Sequence, residues 1–94
     1  MIFEWNEFKN QINLKKHGVS FVEAKTAFLD ELGRLISDPD HSETEERHIL
    51  IGTSSKSNLL LVCHCERVPN VIRIISARKA SKMERKQYED YKYA

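Results

Sequence analysis

The chain has 94 residues, of which 40% are hydrophobic and 31% are charged, and its formal net charge is +1. This length predicts one compact domain, residues 1–94, and the composition excludes an intrinsically disordered chain. No apolar run approaches the roughly 18 residues of a membrane span, and the first residues lack the basic and apolar regions of a secretory signal.

The charges are distributed unevenly along the chain. Residues 30–47 hold seven acidic and two basic residues, whereas residues 68–94 hold seven basic and three acidic ones. The basic end is a candidate surface for a polyanion, although exposed faces of soluble proteins are often charged in the same way.

The chain begins with a predicted strand and a predicted helix. Residues 2–5 alternate weakly, as a strand does. Asn6 is a typical N-cap, Phe8 and Ile12 follow at helical spacing, and Gly18 stands where a glycine commonly ends a helix.

A second helix is predicted to begin at Ser20. Ser20 and Glu23 have the spacing of a capping box, in which the serine oxygen accepts from the backbone and the glutamate reaches back. Phe21 and Phe28 belong to one apolar helical face, so this helix is expected to extend to about Leu29.

Four further strands and a final helix are predicted after Gly33. The strands cover residues 35–36, 48–53, 59–67 and 71–78, with turns at 38–40, 54–58 and 69–70 and a polar loop at 41–46. Ser81 and Glu84 form a second capping box and open the last helix. Short links between strands indicate antiparallel hairpins, so we predict an α+β fold: an antiparallel sheet with helices packed on it.

The two cysteines are predicted to be thiols. Cys63 and Cys65 are two residues apart on one strand, a poor geometry for a disulfide, and thiols are typical of a reducing cytoplasm. His64 points to the opposite face, and no fourth ligand is close in sequence, so no metal site is expected.

The strongest chemical pattern is a basic and aromatic cluster near the end of the chain. Arg73, Arg78 and Lys79 end the last strand, and Arg85 and Tyr88 share a face of the last helix. Guanidinium groups bind phosphate oxygens in pairs, and a tyrosine hydroxyl can donate to an oxyanion. The same pattern also fits a solvated basic helix with Tyr88 partly in the core.

A second candidate cluster is His64 and Glu66, which lie two apart on one strand and therefore on one face. A general base with an orienting partner has this arrangement, and so does an ion pair at a strand end. Lys16 and His17 precede Gly18, where cations also complement the helix dipole.

Several segments together resemble the BrnT toxin family, in the right order and over nearly the whole chain. They are KHGVSF at 16–21, DPDHSE at 38–43, ER at 46–47, IGTS at 51–54 and RIISARKA at 73–80, followed by Glu84, Arg85 and Tyr88. The resemblance implies a RelE-like fold and a ribonuclease toxin of a type II toxin–antitoxin pair.

The family also implies partners. A BrnA-like antitoxin is expected to bind the toxin in a complex of two toxins and two antitoxins, to carry the DNA-binding domain, and to repress the shared operon. Operator DNA is then contacted only through the antitoxin, the substrate is RNA, and the protein is cytoplasmic, with no membrane partner and no cofactor.

The resemblance carries over residue by residue. The family's basic and aromatic positions near its C-terminus match Arg73, Arg78, Lys79, Arg85 and Tyr88, its strand histidine matches His64, and its helix-end segment matches Lys16, His17 and Gly18. We expect His64, Glu66, Arg73, Arg78 and Tyr88 to be catalytic and Lys16, His17, Lys79 and Arg85 to bind RNA, with Glu66 added from its position beside His64 on the strand face. The expected reaction is attack of the substrate 2′-hydroxyl on the adjacent phosphate, with Glu66 or His64 as base. Cys63 and Cys65 replace residues that are more often Val and Thr in the family.

The alternative class is a binding module without activity. In that case the basic cluster is a protein interface for an antitoxin-like partner, and the chain only helps to regulate its operon. Expression of the chain alone separates the two, because a nuclease arrests growth and an adaptor does not.

Overall fold

A five-stranded mixed sheet is the centre of the computed structural model, which describes residues 1–37 and 46–92. In chain order the elements are β1 (Ile2–Glu4), α1 (Glu7–His17), α2 (Phe21–Thr26), a short 3-10 helix (Ala27–Leu29), β2 (Arg34–Ser37), β3 (Arg47–Thr53), β4 (Leu59–Val68), β5 (Val71–Lys79) and α3 (Lys82–Lys92). The turn predicted at 38–40 and most of the acidic loop, residues 41–45, lie outside the described residues.

The strands are arranged in the order β1-β5-β4-β3-β2. The predicted hairpins are confirmed, because β2, β3, β4 and β5 pair antiparallel in succession. β1 differs, since it pairs parallel to β5, with Ile2 opposite Val71 and Glu4 opposite Arg73. No hairpin links these two strands, so a parallel pairing is open to them.

A β-bulge in β5 decides which side chains face which side of the sheet. Ile74 pairs with His64 and Ser76 pairs with Cys63, so Ile75 is an extra residue on β5. An extra residue shifts the alternation of side chains by one position. Ile74 and Ala77 are therefore both buried in the core although they are three residues apart.

The predicted ends of α1 are confirmed. The backbone N–H of Lys9 donates to Asn6 Oδ1 at 3.0 Å, which is the expected N-cap bond. Gly18 has φ +70°, and its N–H donates to the Leu14 carbonyl at 2.8 Å. A side chain at Gly18 would be strained because φ lies in the left-handed region.

The buried face of α1 is polar rather than apolar. Phe8 is 74% exposed and Ile12 is 50% exposed, whereas Asn10 and Asn13 are buried. The Asn10 side-chain oxygen accepts from the backbone N–H of Phe21 at 2.8 Å and so connects α1 to the start of α2.

The Asn13 side chain makes hydrogen bonds to the backbone of β5 beyond the point where β1 pairs with it. Its amide nitrogen donates to the carbonyls of Val19 and Ala77, both at 2.8 Å, and its oxygen accepts from the Ala77 N–H at 3.1 Å. β1 pairs with β5 only as far as Arg73. The asparagine therefore supplies the hydrogen bonds that a longer β1 would have made.

The capping box of α2 forms only in part. The N–H of Glu23 donates to Ser20 Oγ at 3.0 Å, as predicted. The Glu23 carboxylate instead accepts from Ser54 Oγ at 2.7 Å and from the Asn58 side chain at 2.9 Å. Glu23 is buried, and it connects α2 to the turn between β3 and β4.

The core lies between one face of the sheet and the layer of α1, α2 and the 3-10 helix. Its buried members are Val19, Phe21, Ala24, Ala27, Leu50, Leu60, Val62, Ile74 and Ala77. The 3-10 helix comes so close to β3 that a Cβ on Gly52 would lie 2.9 Å from the Ala27 carbonyl oxygen. Only glycine permits this approach without a shift of the backbone.

The last helix lies on the other face of the sheet. Ile36, Ile51 and Leu61 line a pocket together with Tyr88 and other residues of α3. The α+β class is therefore as predicted, with helices on both sides of the sheet. No helix among the described residues is both long and apolar enough to span a membrane.

We predict that Asn13→Ala destabilises the domain by about 3 kcal/mol or more, because the buried N–H and C=O of Ala77 lose their partner. Chemical denaturation followed by circular dichroism measures the change. Gln11→Ala on the exposed side of the same helix is the matched control and is expected to cost far less. Equal losses in the two variants would contradict the role given to Asn13.

Candidate functional site

Four arginines project from the face of the sheet that α1 and α2 do not cover, which we call the arginine face. They are Arg34, Arg47, Arg73 and Arg78. The strand register aligns Arg47 with Cys65 and Arg73, and Arg34 with Ile51, Leu61 and Arg78. Residues paired in register share a face, so three strands contribute arginines to the same surface.

Arg78 is held by the first turn of α3. Its two terminal nitrogens each donate to one oxygen of Glu84 at 2.8 Å, and Nη1 also approaches the Lys79 carbonyl at 3.3 Å. The same glutamate accepts from the Ser81 N–H at 2.9 Å, and Ser81 Oγ accepts from the Glu84 N–H at 3.2 Å. The predicted second capping box is thus confirmed, and it orients Arg78 as well.

The ion pair between Arg78 and Glu84 shifts the pKa of both groups. The hydrogen bond from Arg78 is the main reason why the pKa of Glu84 falls to about 2. The hydrogen bond to Glu84 likewise raises the pKa of Arg78. Both groups are therefore charged at neutral pH, and the Arg78 side chain remains 46% exposed.

Tyr88 is buried, and its hydroxyl has a partner. The residue is 7% exposed, and its Oη donates to Asp30 Oδ2 at 2.6 Å. Asp30 also accepts from the N–H groups of Thr53 at 2.8 Å and Leu32 at 2.9 Å. Burial works to raise the pKa of Asp30, but the bonds from Tyr88, Thr53 and Leu32 outweigh it, and the pKa is lowered.

His64 and Glu66 share a face, as predicted, but not the face that carries Arg73 and Arg78. His64 pairs with Ile74, and the next pair along the strands is Cys65 with Arg73. Both side chains line a cavity with Phe28 on the helix-covered side of the sheet. The structure therefore separates the five predicted catalytic residues into two groups on opposite faces.

Three of the four predicted RNA-binding residues lie outside the arginine face. Lys16 and His17 belong to α1, which covers the opposite face, and Lys79 pairs with Leu60 of the buried core. Lys16 and His17 line a shallow pocket beside Ser76, at the edge of β5. Lys79 and Arg85 are exposed at the end of β5 and on α3, and Arg85 lies 3.8 Å from Glu89. Arg73 lies 3.9 Å from Glu4 on the neighbouring strand.

Two arginines of this face, Arg34 and Arg47, were not among the residues predicted from the sequence. Strand alternation could have found Arg47, because His48 and Leu50 face the helix layer and their neighbour must face away. Arg34 follows Gly33 at the start of β2, where too few residues alternate to give a signal.

Metal ligands and thiols complete the inventory of reactive groups. Within residues 1–37 and 46–92, no three His, Cys, Asp or Glu side chains are grouped so that they could hold a metal ion. Cys63 and Cys65 are both thiols, as predicted. That the reaction needs no metal stays a prediction.

A family model described as "Ribonuclease toxin, BrnT, of type II toxin-antitoxin system" matches residues 5–84. The crystal structure of the Brucella abortus ribonuclease toxin BrnT is similar, with a TM-score of 0.68 and 21% sequence identity over 87% of this chain and 100% of that chain. A search of curated protein sequences gave no match.

We predict that Tyr88→Phe lowers the free energy of unfolding by about 2 kcal/mol, because a hydrogen bond to a carboxylate is lost. RNA cleavage per folded molecule is expected to change less than about threefold, since the Tyr88 hydroxyl is already engaged with Asp30. Thermal melts and cleavage rates of the same preparation measure both. A 100-fold loss of cleavage rate with an unchanged melting temperature would instead show that the hydroxyl takes part in the reaction.

The lowered pKa of Glu84 predicts that the stability of the domain depends on pH. Its pKa of about 2 lies below the ordinary glutamate pKa of 4.5, so its stabilisation is complete above about pH 5 and is lost as the pH falls towards 2. The difference in Tm between the wild type and Glu84→Gln should therefore shrink over that range.

Glu89→Gln is the control, because Glu89 is exposed and lies 3.8 Å from Arg85 in a long ion pair, so its replacement should change the Tm little. A Glu84→Gln difference that stays constant from pH 7 to pH 2 would contradict the pairing with Arg78.

Proposed function

The chain belongs to the BrnT family of ribonuclease toxins of type II toxin–antitoxin systems, and we propose that it cleaves RNA on the arginine face. The observation that carries this proposal is the convergence of Arg34, Arg47, Arg73 and Arg78, from three strands, on one side of the sheet. A surface of this kind suits a phosphate backbone.

Arg78 is the residue proposed to contact the reacting phosphate. Its contacts with Glu84 and the Lys79 carbonyl use three of its five N–H groups. The others are available to a phosphate oxygen, and the fixed position of the guanidinium lowers the cost of reorganisation during the reaction. Arg73 is proposed to stabilise the same developing charge from the other side of the bulge.

The proposed reaction takes its nucleophile from the substrate. The 2′-hydroxyl oxygen attacks the neighbouring phosphorus and loses its proton to solvent water. The bond to the 5′-oxygen breaks, that oxygen takes a proton from solvent, and the products are a 2′,3′-cyclic phosphate and a 5′-hydroxyl. Guanidinium groups stabilise the pentavalent phosphorane, so this route needs no metal. His64 and Glu66 lie on the other face, so we do not propose either of them as the base for a phosphate held by Arg78.

A type II toxin has an antitoxin as its partner, and we place that contact on the arginine face. An acidic or apolar segment of a BrnA-like antitoxin would neutralise Arg78 and cover Ile36, both of which are substantially exposed. A complex of two toxins and two antitoxins follows if the antitoxin dimerises to bind its operator. Free toxin is expected to stop translation and growth in the cytoplasm.

The central test is RNA cleavage in excess EDTA by the wild type and by Arg78→Ala. The wild type should remain active and yield the cyclic phosphate. The Arg78→Ala variant should cleave RNA 100- to 1000-fold more slowly, which is the usual effect of removing one oxyanion donor. The matched control is Lys25→Ala, which removes an exposed cation on α2. We expect its cleavage rate to change little.

Two outcomes would contradict this mechanism. One is activity that disappears with EDTA and returns with Mg²⁺. The other is an Arg78→Ala variant that melts normally and cleaves RNA as fast as the wild type. A chain that neither cleaves RNA nor arrests growth would instead support the inactive binding module.

A further inference from the structure

A cavity of about 420 Å³ opens on the helix-covered side of the sheet, and we call it the histidine cavity. It is lined by Met1, Phe28, Leu35, Glu46, His48, His64, Glu66 and Ile72. Its volume lies within the roughly 300–1,000 Å³ that is typical of pockets for small ligands. The proposed cleavage on the arginine face makes no use of it.

His64 is the buried polar group of this cavity. The residue is 4% exposed, its Nδ1 lies 3.0 Å from the Val62 carbonyl, and its ring stands edge-on to Phe28 with centroids 4.8 Å apart. Burial lowers the pKa of His64, the bond to the Val62 carbonyl opposes this shift, and nearby His48 adds to it.

The neutral ring has one nitrogen left for a ligand. A bond from Nδ1–H to the Val62 carbonyl makes Nε2 an acceptor. Among residues 1–37 and 46–92, no group forms a hydrogen bond with that Nε2. His64 lines the cavity, so its Nε2 can accept a hydrogen bond from a ligand there.

The remaining chemistry of the cavity selects against anions. Glu46 and Glu66 supply carboxylate acceptors at its rim, and no lysine or arginine side chain lines it. A phosphate would be repelled by both carboxylates. Phe28, Leu35 and Ile72 supply apolar surface for a flat group.

We propose that the histidine cavity binds one nucleobase of the RNA substrate and favours bases with an amino group, namely cytosine, adenine and guanine, over uracil. Proteins recognise single-stranded RNA by packing unstacked bases against aromatic residues and pairing with their Watson–Crick edges. An amino group supplies two N–H donors to carboxylate and imidazole acceptors, whereas uracil has no amino group and offers only its N3–H, flanked by two carbonyls. The assignment as a substrate site depends on the proposed ribonuclease function.

The position of the cavity suits a strand that also contacts the arginine face. Arg47 directly precedes His48 on β3, and Arg73 directly follows Ile72 on β5. Each of these arginines projects from the face opposite to its cavity-lining neighbour. A strand that passes over this end of the sheet therefore keeps its phosphates near cations while one base enters the cavity.

The experiment titrates the full chain with nucleosides, which carry no phosphate and so do not test the arginine face. The imidazole resonances of His48 and His64 report binding. Guanosine is compared with inosine, which lacks only the 2-amino group. Cytidine is compared with uridine, which has a carbonyl in place of the amino group and an N–H donor at N3. We expect the amino-bearing member of each pair to bind about tenfold more tightly, as one or two hydrogen bonds provide.

Variants at the rim test the acceptors. The double variant Glu46→Gln with Glu66→Gln should lose this preference and, in RNA, should cleave next to cytidine and uridine more equally than the wild type does. Glu31→Gln removes an exposed carboxylate outside the cavity and should keep the wild-type preference.

Three results would overturn the assignment. They are equal affinity for cytidine and uridine, histidine resonances that no nucleoside shifts, and tighter binding of N-acetyl-arginine amide, which would make this a site for a basic side chain of a partner protein. A wild type that binds cytidine preferentially but cleaves no RNA would contradict the proposed function and leave the base-binding site supported.

Discussion

The β-bulge at Ile75, followed by the hydrogen bonds between Asn13 and Ala77, determines which face of the sheet each half of β5 presents. β1 pairs with β5 only up to Arg73, and Ile75 is bulged out just beyond that point. Asn13 then satisfies both backbone groups of Ala77. Ala77 is thereby kept in the core, and its neighbour Arg78 projects from the opposite face, which also carries Arg73.

Local features of the fold could be predicted from the sequence, because they depend on residues close together in the chain. The N-caps at Asn6 and Ser20 and the glycine end at Gly18 are of this kind. The burial of Asn13 could not be predicted, since its partner Ala77 lies 64 residues away. The same holds for the parallel pairing of β1, which no turn specifies.

The arrangement of the candidate site also depends on contacts between residues far apart in the sequence, so it could be predicted only in part. Arg73 and Arg78 are five residues apart, so simple alternation would place them on opposite faces, and only the bulge brings them together. His64 and Glu66 were correctly predicted to share a face, but the register alone shows that it is the helix-covered one. The partner of Tyr88, Asp30, lies 58 residues away and left no local signal.

We propose that the two faces of the sheet bind different parts of the RNA. Guanidinium groups on one face bind phosphates, and hydrogen-bond acceptors in the cavity on the other face bind a base. The most direct test of the central claim is an NMR titration of the arginine Nε–Hε resonances with an uncleavable 2′-O-methyl RNA. Saturable shifts of Arg73 and Arg78 are the predicted result. Unshifted resonances at both residues, with RNA bound elsewhere on the chain, would contradict it.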